Sequence, residues 1–393
     1  MKAALLFAIC FLAFANAKWG DPITDIGGSI SCDPLMMVPS KNIPTNVNSV
    51  RPADIKLVMA LGDSLTAANG AGAEDPLEII LQYRGLAFLA EDPLEIILQY
   101  RGLAFLAGGD KSLEKHITIP NILKKFNPNL FGQSKGIGAS DVWDVAYLNS
   151  AVPGAKADDL PGQALDLVQK LQTHSEVDIA NDWKLLNIFI GGNDVCGYCK
   201  DPAKNTPAMF RQNIEKAVQI IKDHVPRVIV SLTTMLHLEM VRQIDRNQYF
   251  CKALHVDECK CEQMANFTDT QISQLCTQLQ QVEKDIETSG EYEADDFTFV
   301  VQPFLNEITT PPTRNGTVFI EFFTPDCFHF AQNGHSITAS WIWNNMMEAV
   351  GSKTTKGDLG YPALPLKCPD SKCPFVRTTK NSQDCSKYLT DPQ

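Results

Sequence analysis

Five short apolar runs separated by helix-like segments constrain this chain more than any other feature of its sequence. The runs cover residues 55–61, 145–148, 185–190, 228–232 and 297–301. Apolar residues recur at helical spacing over 160–172, 209–224 and 272–289, and a further helix is expected over 336–350. Apolar strands alternating with amphipathic helices need crossover connections, and crossovers give a parallel sheet covered on both faces. At 393 residues the chain is long enough for one decorated domain or two. The single run of alternation favours one α/β domain. Residues 242–276, with four cysteines, read as an excursion pinned by disulfides, and the Pro-rich ends, 32–44 and 361–393, as wraps around the outside.

The chain opens with Met1-Lys2, an apolar stretch to Phe14, and Ala15-Asn16-Ala17. A cation, a short apolar core and a small-x-small site predict a secretory leader over 1–17, cleaved after Ala17. The stretch is too short for a membrane span, which needs about 20 apolar residues. A secreted, extracellular product is expected. Eleven cysteines lie beyond the leader, and in an oxidising compartment they read as bridges, with Cys32, Cys196, Cys199, Cys251, Cys259, Cys261, Cys327, Cys368, Cys373 and Cys385 as disulfide candidates. Eleven is odd, so at least one thiol stays free or pairs between chains. A zinc or redox role for Cys196/Cys199 and Cys259/Cys261 is the weaker reading, because no histidine cluster completes a site. Asn266-Phe-Thr and Asn315-Gly-Thr are sequons for N-glycosylation on surface loops.

Residues 74–90 recur without change as 91–107. Two identical copies do not make a solenoid, which needs at least three drifting repeats. One copy is expected to pack, and the other to form a surface insertion with no function of its own. Lys plus Arg number 34 against 46 Asp plus Glu, a net charge of −12, so nucleic acid is excluded as a partner. Oligomeric state is not legible in these residues.

In a parallel sheet, ligands collect at the carboxyl ends of the strands. Gly62-Asp63-Ser64-Leu65 follows the first run, Asn149 to Gly154 the second, Gly191-Gly192-Asn193-Asp194 the third, and Asp326-Cys-Phe-His329 comes after the fifth. Each piece alone is weak; the ordered set suits acyl transfer. Ser64 offers a hydroxyl nucleophile, feeble until a base takes its proton. His329 is the expected base, with Asp326 three residues upstream to hold its tautomer; His335 is the fallback. The Ser64 and Gly154 amides and the Asn193 side chain are the expected oxyanion donors. Asp63 and Asp194 read as acceptors that tie down loop amides. No phosphate-loop lysine, dinucleotide fingerprint or metal-ligand spacing is present, so neither a cofactor nor a metal is expected.

This set resembles the GDSL, or SGNH, hydrolases, and more closely the phospholipase B branch of animals. The closer resemblance rests on residues 51–56, 60–67, 99–102, 154–161, 189–194, 301–304 and 325–330, spread over most of the chain. It implies a three-layer α/β/α sandwich of flavodoxin-like type with a five-stranded parallel sheet. The hydrolase domain would cover 51–352, between an N-terminal extension (18–50) and a Cys-containing tail (353–393). It also implies Ser64, Asp326 and His329 as a triad, with Gly154 and Asn193 as oxyanion donors. The substrates implied are glycerophospholipids and lysophospholipids, with at most transient contact to a membrane surface. The chain departs from the pattern in its two Tyr-Arg-Gly segments and in Pro153. An esterase for other lipid or acetyl esters is the alternative of the same chemistry. A non-catalytic lipid carrier is the alternative of another class, disfavoured because every catalytic position keeps its residue type.

Overall fold

The computed structural model describes residues 25–73, 98–245, 251–252, 255 and 258–389. The expected leader, the first repeat copy and residues 91–97 of the second lie outside the described residues. Strands β1 (Ile55–Gly62), β2 (Trp183–Phe189), β3 (Val228–Thr233) and β4 (Phe297–Gln302) form a parallel sheet in that order. Every residue of the four is buried except Lys56, which is why they read as continuous apolar runs and not as alternating ones. Lys184 on β2 is tolerated inside because its Nζ donates to the carbonyls of Ile179, Asp182 and Pro226 at 2.8, 2.6 and 2.9 Å.

The strand expected at 145–148 is absent. Trp143–Ala146 is a helical turn, and Tyr147 after it takes φ 47°. Beyond β1, among the described residues, two isolated parallel bridges continue the sheet, Leu57 with Phe131 and Ala60 with Asn149. Among the described residues the sheet therefore has four strands where five were expected. A four-residue apolar run is too short for periodicity to separate a strand from one turn of helix.

The main helices, in chain order, are α1 (Ile119–Phe126), α2 (Leu160–Thr173), α3 (Gly192–Tyr198), α4 (Pro207–His224), α5 (Asp269–Ser289) and α6 (Gln332–Met346). Right-handed crossovers between consecutive parallel strands put α2, α4 and α5 on one face, and α4 packs against both of the others. Helices α1 and α6 pair with each other, their Phe126 and Trp343 rings 5.4 Å apart. Helix α5 starts three residues before its apolar pattern because Thr268 and Gln271 form a capping box, and it ends at Gly290, whose φ of 70° suits glycine. Asn266 is exposed, and so is Asn315, which sits at the Asn315-Gly316 turn between Thr313–Arg314 and Thr317–Val318.

Five disulfides join Cys32 to Cys368, Cys196 to Cys259, Cys199 to Cys261, Cys251 to Cys327 and Cys373 to Cys385. All ten candidates are used, and Cys276 is a buried free thiol. Cys32–Cys368 ties the two terminal wraps together. No helix among the described residues is long and apolar enough to cross a membrane.

Candidate active site

The loops at the carboxyl ends of β1 and β2 meet the Asp326–His329 turn. At the end of β1, Gly62 has φ 155°, and a Cβ there would stand 2.4 Å from the Phe189 carbonyl, so only glycine fits. The Gln163 side chain of α2 clamps Gly62 from outside: its oxygen accepts from Gly62 N and its nitrogen donates to Gly62 O, both at 2.8 Å. Asp63 Oδ1 then accepts from Leu65 N at 2.9 Å, closing the turn that carries Ser64.

A continuous hydrogen-bonded line runs from Ser64 to Asp326. Ser64 Oγ lies 2.8 Å from His329 Nε2, and His329 Nδ1 lies 2.8 Å from Asp326 Oδ2. Asp326 is fully buried, and its other oxygen accepts from the Thr324 hydroxyl at 2.5 Å and from the amides of Phe328 and His329 at 2.8 and 2.9 Å. Burial pushes this carboxyl up. The His329 imidazole and the hydrogen bonds outweigh that and hold it at about 2. The ionised Asp326 can only accept, so Nδ1 carries the proton and Nε2 presents its lone pair to the Ser64 hydroxyl. The Cys251–Cys327 disulfide anchors the turn between the two residues.

The expected donors share the same cavity, of about 1100 Å³, with Ser64 and His329. Neither the Ser64 amide nor the Gly154 amide meets an acceptor among the described residues. Asn193 Nδ2 donates one hydrogen to Ala155 O at 2.9 Å and keeps the second. Gly154 takes φ 77° with nothing near its would-be Cβ. Asp194 accepts from the Ala157 amide at 3.3 and 3.1 Å, tying α3 to the Gly154 loop. Burial pushes Asp63 up to about 6 and Asp194 up to about 7. A small crevice of about 20 Å³ also touches Ser64, walled mainly by Leu65, Phe189, Leu236, Leu238, Val241 and Phe323.

His335 has a structural place: its Nδ1 accepts from Phe105 N at 3.3 Å, and burial holds its pKa well below the ordinary histidine value. Sequence reasoning missed Arg101, which is fully buried and donates to the carbonyls of Gly138, Asn149 and Ala151 at 2.9, 3.1 and 2.6 Å. It thereby sets the loop that leads to Gly154. The same reasoning missed two groups whose ligating atoms all lie within 4.8 Å of one another: His237 with Glu239 and Cys276, and Glu258 with Asp326 and His329. In each, a pair close in sequence is joined by one residue from a distant segment, Cys276 or Glu258, and that joining leaves no spacing in the sequence.

Sheet and site together define a parallel α/β protein whose serine, histidine and carboxylate meet at the strand ends. The chain belongs to the GDSL-like lipase/acylhydrolase family, whose model matches residues 58–342. It is 38% identical over 352 residues to "Phospholipase B1, membrane-associated" of Mus musculus, a match covering 88% of this chain and 22% of the relative. It is 38% identical over 348 residues to the Homo sapiens protein of that name, and 37% over 349 residues to that of Rattus norvegicus. The chain thus spans about a fifth of the length of these relatives.

Proposed function

We propose that this chain is a carboxylic ester hydrolase of the phospholipase B type. It would release fatty acids from glycerophospholipids and lysophospholipids outside the cell, on a three-layer α/β/α scaffold. The observation that carries the reading is the line Ser64–His329–Asp326 at 2.8 Å per step, on a cavity shared with three donors that have hydrogens to spare. In that reading His329 takes the Ser64 proton as Oγ attacks the ester carbonyl. The Ser64 and Gly154 amides and Asn193 Nδ2 hold the oxyanion. The alcohol leaves with the proton from His329, and water then cleaves the acyl-enzyme by the same steps in reverse. The names of the relatives point to phospholipid as the ester. Five disulfides and two exposed sequons fit an extracellular setting, with glycans at Asn266 and Asn315.

The test offers purified protein phosphatidylcholine, lysophosphatidylcholine, triacylglycerol and a short aryl ester side by side. Ser64→Ala is expected to lower turnover of the preferred ester by about 10⁴-fold or more while the protein still folds. Turnover retained in that variant would remove Ser64 as nucleophile. Hydrolysis of triacylglycerol alone would move the substrate to other lipid esters.

A further inference from the structure

We propose that the ammonium groups of Lys156, Lys200 and Lys260 form an anion subsite at the rim of the catalytic cavity, which takes the phosphodiester of the glycerophospholipid being cleaved. The inference rests on the phospholipase reading above and names the part of the substrate that this site would grip.

All three lysines line the cavity that holds Ser64, Gly154, Asn193 and His329. Two are held together by covalent structure. Lys200 directly follows Cys199, and Lys260 stands between Cys259 and Cys261, while Cys196–Cys259 and Cys199–Cys261 are parallel bridges between those two segments. The bridges force two like charges into neighbouring positions that repulsion would otherwise separate. Contact with the Lys260 side chain, followed by burial and by the charges of Lys260 and Lys156, holds the Lys200 pKa below the ordinary lysine value.

Lys156 completes the group from the other wall. It follows Gly154 by two residues, and its Nζ lies 2.6 Å from where a Cβ on Gly197 would stand, so the absent side chain gives the ammonium its room. Gly197 lies four residues after Asn193 on α3, on the same face and about 6 Å along the axis. An ammonium therefore sits one helical turn from the oxyanion amide, a span comparable to that between ester carbonyl and phosphodiester across a glycerol.

None of the three ammonium groups is ion-paired with a carboxylate among the described residues. Carboxylates do line the cavity, at Asp141, Asp159, Asp201 and Glu258. Asp159 accepts the Lys156 backbone amide at 2.9 Å, Asp201 pairs with Lys204 at 3.5 Å, and Glu258 sits against Asp326 and His329. Three ammonium groups drawn together by the bridges, with no direct ion pair among the described residues and on the same cavity as Ser64, make a site for an anion.

The experiment compares the intact protein with Lys200→Glu/Lys260→Glu and with Lys156→Ala. Substrates are dihexanoylphosphatidylcholine below its micellar concentration and dihexanoylglycerol, which lacks the phosphate. The ratio of the two kcat/KM values is expected to fall about tenfold in the charge-reversed protein, and any general loss from folding cancels in that ratio. In a second arm, sn-glycero-3-phosphocholine should compete with an aryl ester in the unmodified protein and need about tenfold more in the variant. Both ratios unmoved, with phospholipid still cleaved, would overturn the subsite and leave the phospholipase reading standing. If no phospholipid is cleaved by the unmodified protein, that reading fails, and the competition arm alone decides the subsite. A loss seen on phosphatidylcholine vesicles but not on the monomeric lipid would mean that the lysines hold the lipid surface, and would equally overturn the proposal.

Discussion

Arg101 carries no chemistry of its own, yet the Gly154 loop depends on it. Its guanidinium, fully buried and held by burial at about 10, donates to three backbone carbonyls and to Gln99 Oε1. Five donors in a rigid fork can meet three carbonyls on two segments and a side-chain oxygen at once, which the single point of a lysine cannot. Arg101→Lys is accordingly expected to lower kcat by about tenfold or more, since each charged hydrogen bond lost is worth about 1.5–3 kcal/mol. Steady-state kinetics on an aryl ester would check this, and an unchanged kcat would show that the loop holds without the fork. At this scale the residues of the hydrogen-bonded line were legible because Ser64, Asp326 and His329 lie in short local motifs. Arg101 was not, because its targets at 138, 149 and 151 are distant in sequence and offer only backbone carbonyls, which leave no residue signature.

Among the elements, the repeat is the point where sequence identity and structural role part. The second copy supplies Tyr100 to Ala107, whose Phe105, Leu106 and Ala107 lie in the core. Leu98 accepts from Gly70 N at 2.9 Å, and Gln99 bridges to Asn69, so the packed copy enters the fold directly opposite the Ser64 loop. The described part of the second copy packs, as one copy was expected to; the expected surface insertion lies outside the described residues. Because the copies are identical, deleting 74–90 or 91–107 yields the same protein. The connection between Ala73 and Leu98 then shrinks from 24 residues to seven. Deletion is expected to preserve esterase activity and to change unfolding stability by no more than about 1 kcal/mol, because either deletion keeps the copy that supplies Phe105, Leu106 and Ala107 to the core. Chemical denaturation with a parallel esterase assay tests it. A loss of activity would mean that the extra residues contribute to the site. The strand mistaken at 145–148 belongs to this scale too: four residues fit either period, and only the pairing of β1 with Phe131 and Asn149 decides.

For the whole molecule, the buried carboxyls couple the site to pH. Asp63 and Asp194 retain protons up to about 6 and about 7, whereas in the unfolded chain they release them near 3.9. Between those values the native state binds more protons than the unfolded one. Stability from these two groups therefore falls as pH rises through about 4 to 7. Buried His116, held by burial at about 4, acts with the opposite sign in part of that range, so the informative quantity is a difference between proteins. Asp194→Asn is expected to gain stability relative to the unmodified protein between pH 5 and pH 8, by about 1.4 kcal/mol for each pH unit over which the folded carboxyl stays protonated and the unfolded one does not. Urea unfolding at the two pH values measures it, and parallel pH profiles for the two proteins would contradict the assignment. Taken by itself, the sequence determined the alternating α/β class, the ten cysteines that pair and the residues able to react, because each depends on local pattern or on residue chemistry. Only the tertiary structure decided which cysteine meets which, that β1 is flanked by bridges and not by a fifth strand, that Arg101 holds the loop leading to Gly154, and that the three lysines line one cavity with Ser64. Those are contacts between segments far apart along the chain, and their energies exist only once the sheet has brought the segments together.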